Sequence, residues 1–269
     1  MRKVTMVAAG AMLAGLALAG CGAKQASSSQ NDTGGGMTLQ LLAEKLGTNS
    51  GAKQGAHMAM SMEVAGQSIK AEGDMKLGTS PAFDFTYELA GMGKARMLLV
   101  DDTFYFELPK QSQTSGKPWV KLDPNGDDPL SKTLGGALAE TKKNSDPSQL
   151  LKQIEGAGDI TATKQEDLDG KPTTHYSVTV DLKKYADKVD PQLKSTLDTA
   201  IAAGVTTYPM ELWVDQDNLP VRITIATPFT NPANQKTDEI KMTMDYTEWG
   251  KSVNVTAPPA DQVGTLPGR

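Results

Sequence analysis

The chain has 269 residues, 27 Lys and Arg against 32 Asp and Glu for a formal charge of −5, only 5% aromatic residues and one cysteine. An acidic chain has no electrostatic pull toward nucleic acid phosphates or anionic headgroups, and one thiol excludes a disulfide framework within the chain. Its interactions are therefore to be sought in apolar surface.

Arg2 and Lys3 precede an uncharged run over 4–17 that is rich in Ala, Leu, Met and Gly, and small residues lead into Cys21. This is the layout of an export signal. The run is shorter than the ~20 residues that cross a bilayer as a helix. Leu18-Ala19-Gly20-Cys21 is similar to the lipobox of bacterial lipoproteins, in which the signal is removed and the cysteine sulfur carries a diacylglycerol. The alternative is a plain secretory signal beside a chance cysteine. A lipid-modified Cys21 implies a protein anchored on the extracytoplasmic face of the cell membrane, held stably because two or three acyl chains act together at about 0.8 kcal/mol per buried CH₂. Loss of 1–20 removes two cations and no anion, taking the charge from −5 to −7. Residues 22–36, G-A-K-Q-A-S-S-S-Q-N-D-T-G-G-G, contain nothing large and apolar to bury and form a flexible tether with a reach on the order of 20 Å. The expected division is 1–20 signal, 21–36 lipidated cysteine and tether, 37–258 one folded domain, and 259–269 a polar tail.

Leu39, Leu42, Ala43 and Leu46 fall at helical spacing, and Gly47 ends that helix. From Ala56 the period becomes two. Met58, Met60, Met62 and Val64 share one face of a strand. Ile69, Ala71, Met75 and Leu77 suit a second strand, Phe83, Phe85, Tyr87 and Leu89 a third, followed by 95–100, by 103–108 with Phe104 and Phe106, and by 119–122. Helical spacing returns with Leu130, Leu134 and Leu138, then with Leu150, Leu151 and Ile154 behind an Asp146 cap and Pro147. Strands over 159–168 and 173–182 flank the turn Asp169-Gly170, with Tyr176, Val178, Val180 and Leu182 on one face. A helix over 185–204 carries Leu193, Leu197 and Ile201. The last strands carry Tyr208, Met210, Leu212 and Val214, then Val221, Ile223 and Ile225, then Ile240, Met242, Met244 and Tyr246. About eleven strands with helices inserted between antiparallel runs define an α+β class, the helices covering the apolar face of the sheet.

No catalytic pattern emerges. His57 and His175 fall on polar strand faces and read as surface histidines; no G-x-S-x-G and no glycine-rich phosphate loop follows a strand. Asp123, Asn125 and Asp127 imitate the start of a calcium loop, but Asp128 replaces the required glycine and Leu134 the bidentate glutamate. The expectation is no enzyme, no cofactor and no metal. The methionines stand out, since ten of 13 lie beyond the signal and six fall on apolar strand faces. Flexible, polarizable thioethers suit either an irregular core or an adaptable ligand surface. The strand faces offer about thirty apolar side chains and the helices about a dozen, an imbalance that points to an apolar cavity rather than solid packing.

The lipobox, the tether, the order of elements and the text G-K-P-T-T-H-Y-S-V-T-V-D-L followed by Y-P-M-E-L-W-V-D-Q-D-N-L-P-V-R-I resemble the LppX/LprG family of actinobacterial lipoproteins, which share a fold with the LolA and LolB carriers. The resemblance implies a curved antiparallel half-barrel with helices closing its concave face over the acyl chains of lipids or acylated glycolipids, which are carried across the envelope, with a transporter as a further partner. The cavity wall is then assigned to Met58, Met60, Met62, Phe83, Phe85, Val178, Val180, Met210, Leu212, Ile223, Met242 and Met244. The alternative is a structural or sensory envelope lipoprotein with a filled core that binds a protein partner.

Overall fold

The computed structural model describes residues 37–264 apart from 65, 90–92, 109–112, 114–115, 124–125, 127–145, 190 and 231–236. The helical stripe expected at Leu130, Leu134 and Leu138, and most of the loop resembling a calcium site, lie outside the described residues.

Helix α1 (Leu39–Lys53) begins where Thr38 accepts a hydrogen bond from the Leu41 backbone N–H at 3.2 Å. It is followed by β1 (Gly55–Val64), β2 (Gln67–Lys76), β3 (Ala82–Leu89), β4 (Gly93–Val100), β5 (Thr103–Glu107) and β6 (Trp119–Leu122), an antiparallel meander. After α2 (Pro147–Gln153) come β7 (Gly158–Leu168) and β8 (Lys171–Asp181), then α3 (Leu182–Ala186) and α4 (Pro191–Ala202). A second meander adds β9 (Thr207–Val214), β10 (Pro220–Thr230) and β11 (Thr237–Thr247), and β12 (Val263–Gly264) closes the described chain. The strand order is β12-β6-β5-β4-β3-β2-β1-β11-β10-β9-β8-β7. Most of the described chain is sheet, and the sheet is open, with β7 and β12 at its two ends. Pairing of β1 with β11 joins the two meanders, so the two strands richest in methionine are neighbours near the middle.

The turns follow the residue chemistry. Asp169 and Gly170 both have positive φ, 52° and 81°, the conformation a two-residue hairpin needs to match strand twist. Asp146 accepts from the Ser148 N–H at 2.8 Å, with Pro147 at the first helical position where its missing N–H costs nothing.

Two expectations are corrected. Helix α1 does not stop at Gly47 but continues to Lys53 and is capped by Gln54 in the left-handed region, φ 63°. Gly47 is a contact residue: a Cβ there would lie 2.9 Å from Ser148 Oγ, so its absence lets α1 and α2 approach closely. The helix expected over 185–204 is two, because Asp181 caps α3 through the Lys184 N–H at 3.0 Å and Pro191 starts α4.

One face of the sheet and the helices enclose the main core. Leu42 and Leu46 of α1, Leu151 of α2 and Ile154 at the α2 C-cap, all at most 1% exposed, project into it, and full burial of each such side chain contributes about 1.5–3 kcal/mol. At the same helix crossing Ser50 Oγ and Ser148 Oγ are buried with no hydrogen-bond partner among the described residues. An unsatisfied buried hydroxyl costs about 1–3 kcal/mol. Ser148→Ala is therefore expected to raise stability by roughly 1 kcal/mol, read as a higher midpoint in urea.

On the opposite face Leu98, Val100 and Trp119 form a small cluster with Tyr105, Val255 and Val263. The region expected as a polar tail thus supplies β12, which pairs in parallel with β6. Nearby, Lys251 Nζ reaches Asp74 Oδ1 at 2.8 Å and Glu248 Oε2 at 2.7 Å, and His57 Nδ1 reaches the same Asp74 oxygen at 2.8 Å. Burial pushes Asp74 upward, but hydrogen bonds from Lys251 and His57 outweigh it and hold the carboxyl below its ordinary value. A carboxyl lowered on folding contributes stability above its unfolded value, about pH 4, and loses that contribution as pH falls through its folded value. Lys251→Met is accordingly expected to lower the urea midpoint at pH 7, with the difference from wild type closing below about pH 4.

Candidate functional site

Antiparallel register places directly paired residues on one face, and four rows cross the helix-covered side of the sheet. The first is Leu122, Phe104, Leu99, Phe83, Met75 and Ala56. The second is Val120, Phe106, Met97, Phe85, Gly73, Met58 and Tyr246. The third is Tyr87, Ala71, Met60, Met244, Ile223, Leu212 and Tyr176. The fourth is Ile69, Met62, Met242, Ile225, Met210, Val178 and Ile160. Their 27 positions hold no charged residue. Desolvation raises the phenols of Tyr87, Tyr176 and Tyr246 above their ordinary value, so they too stay neutral.

Burial divides these rows into two regions. Phe83, Phe85, Val178, Met210, Leu212 and Ile223, together with Val180 two residues beyond Val178 on β8 and paired with Tyr208, are between 0% and 6% exposed and belong to the packed core. A side chain with zero accessible surface borders no void large enough for water, so at Val180, Leu212 and Ile223 the space beneath the helices is filled. Met58, Met60, Met62, Met242 and Met244 are instead half-buried, as are Ile69, Ile225 and Tyr87 beside them. Tyr246, itself 4% exposed, anchors this region by directing its hydroxyl to Met244 Sδ at 3.7 Å. The twelve residues assigned from sequence to one wall therefore share a sheet face, yet only the five methionines of β1 and β11 are reachable from outside.

Sequence reasoning missed Met97 and Gly73. Met97-Leu98-Leu99-Val100 is apolar on both faces, which hides the alternation; Leu98 and Val100 serve the small outer cluster. Gly73 has no side chain to mark its face, and the Phe85 ring lies over it.

Both histidines lie on the polar face, as read from sequence; His57 has 33% of its side chain exposed, whereas His175 is more enclosed than a surface residue. His175, its side chain 14% exposed, stacks on Trp213 with ring centroids 4.1 Å apart. Its Nδ1 lies 2.9 Å from Glu166 Oε1 and its Nε2 2.6 Å from Glu211 Oε2. Ser177 Oγ donates to Glu211, at 2.8 Å, rather than to the imidazole. Hydrogen bonds from Lys164 first, then from the Trp213 indole, hold Glu166 below the usual carboxylate range. The cluster links β7, β8 and β9 on the polar face.

The described residues thus form an open, mostly antiparallel sheet with helices over an uncharged face and a reachable methionine patch. No family model matches the sequence. An uncharacterised 31.2 kDa protein of Streptomyces griseus is 28% identical over 199 residues, 68% of this chain and 63% of its own. A protein of Streptomyces coelicolor named as a lipoprotein is 23% identical over 161 residues, 59% of this chain and 47% of its own. The chain thus spans less than two thirds of the length of these relatives. Among solved structures, the lipoprotein LppX of Mycobacterium tuberculosis superposes with a TM-score of 0.50 at 15% identity, covering 81% of this chain and 98% of that one. The chain resembles LppX, as its sequence text does, and the shared property is the fold.

Proposed function

We propose that the protein is a non-enzymatic lipoprotein, anchored through Cys21 on the outer face of the cell membrane, that binds acyl chains against the half-buried methionine patch and carries them within the envelope. The patch is the observation that supports this reading. Ile69, Met62, Met242 and Ile225 stand on four adjacent strands, and three strand spacings of about 4.8 Å cover ~14 Å. Half of a ~30 Å hydrocarbon core, the depth one acyl chain occupies, is ~15 Å. Thioethers supply adaptable contacts for a flexible chain, and the uncharged rows exclude a headgroup from that part of the sheet. In this reading the sheet curves as a half-barrel with the helices on its concave side.

The filled space around Val180, Leu212 and Ile223 favours a second reading for that half of the sheet, a structural or sensory lipoprotein that binds a protein partner. Purification of a tether-deleted form without detergent, followed by lipid extraction and mass spectrometry, separates the two. Co-purifying or exchangeable lipid at a substantial fraction of one per protein is expected, and its complete absence favours the filled-core reading. For the anchor, Cys21→Ser is expected to leave the protein unprocessed or released from the membrane, read by cell fractionation and intact mass. Normal acylation of that variant contradicts the assignment.

A further inference from the structure

We infer that the first turn of α1 and the pocket beside it form a bilayer-docking surface, an inference that rests on the proposed lipid anchor. Leu41 is the large apolar side chain that stands exposed among the described residues, at 45%, and it follows the tether by only a few residues. Fifteen residues separate Cys21 from Met37, and a chain of that length has a reach on the order of 20 Å, so the proposed anchor brings this end of the domain to the membrane first. Isolated exposed leucines are ordinary on protein surfaces; this one follows Gln40, which lines a concavity, in the chain. A pocket of about 670 Å³ opens between the start of α1, the end of α2 and β7, with Met37, Leu39 and Ile160 as its apolar part. Ile160 is also the last member of the fourth row, so the pocket touches the end of the uncharged face.

The charges around the pocket define the partner. Lys152 and Lys188 are balanced by Glu155 and Asp159, and Lys188 Nζ is held by the Glu155 carbonyl. A balanced rim confers no preference for anionic over zwitterionic lipid, so contact depends on apolar insertion and is insensitive to salt. The surface therefore fits a phosphatidylcholine-like bilayer rather than an acidic or basic protein.

The test uses the full-length acylated protein in phosphatidylcholine vesicles containing brominated lipid. Leu41→Cys introduces a lone reactive thiol for an environment-sensitive fluorophore, since the Cys21 sulfur is acylated; Glu72→Cys, on the polar face of β2, is the control. Quenching at position 41 at least about twofold stronger than at 72, unchanged between about 0.05 and 0.5 M salt, is expected. Equal quenching at both positions, quenching at neither, or loss of the effect at high salt overturns the inference. Lipid load measured on the same preparation distinguishes the two proposals. Quenching at 41 without bound lipid keeps docking and removes carriage, whereas bound lipid without quenching keeps carriage and removes docking.

Discussion

Met60→Arg and Met244→Arg are each expected to empty the protein of lipid while leaving it folded. The two residues are direct partners across β1 and β11, both half-buried, and both within a row that holds no charge. A guanidinium there retains water that an acyl chain has to displace, and an uncompensated charge in an apolar site costs several kcal/mol. Each ~1.4 kcal/mol is tenfold in affinity, so lipid occupancy should fall by at least about tenfold in native mass spectrometry. Half-burial allows the long side chain to reach solvent, and circular dichroism should show near-native thermal unfolding. Glu63→Arg, on the opposite face of the same strand and exposed, should leave occupancy unchanged. If the folded methionine variants keep their full lipid load, the patch is not the site.

Gly73→Ala is expected to be the most destabilising of the conservative substitutions. A Cβ at this position would run into the Asp84 carbonyl oxygen of the neighbouring strand and lie 2.7 Å from Phe85 Cδ1. The first obstacle is backbone, so relief requires β2 and β3 to separate beside the methionine patch. Overpacking ordinarily costs about 1–3 kcal/mol and more where backbone has to move; about 3 kcal/mol corresponds to a fall of roughly 6–12 °C in Tm for a domain of this size. Gly51→Ala in α1 is the contrast. A Cβ there meets nothing within 4 Å, and removing a helical glycine should stabilise by about 0.5–1 kcal/mol. Differential scanning calorimetry of the two variants checks both signs.

Local periodicity carried much of the fold. Strict alternation in Met58 to Val64 and Phe83 to Leu89 gave strands and faces because each face meets only one environment. Where both faces are apolar, as in Met97 to Val100, alternation vanished and Met97 was overlooked. Gly47 and Gly73 illustrate a second limit. A glycine looks the same in sequence whether it ends a helix or admits a neighbour, and here both glycines admit a neighbour. The division of the assigned wall into a buried half and a reachable half was not legible either. Alternation reports the face a residue occupies; only the placement of the helices, α3 over β8 and α4 over β10 among them, determines which part of that face is covered. The His175 cluster was hidden for the same reason, since Glu166, Glu211 and Trp213 meet it through strand pairing and not through sequence spacing.

The central claim, that acyl chains lie along the methionine patch of β1 and β11, is tested most directly by photolabelling. The wild-type protein, loaded with a fatty-acyl lipid carrying a diazirine in its chain, is irradiated, digested and mapped by tandem mass spectrometry. Adducts concentrated on residues 55–64 and 237–247, and competed away by unlabelled lipid, are the expected result. Adducts confined to the polar face of the sheet, or labelling that unlabelled lipid does not compete away, would contradict it.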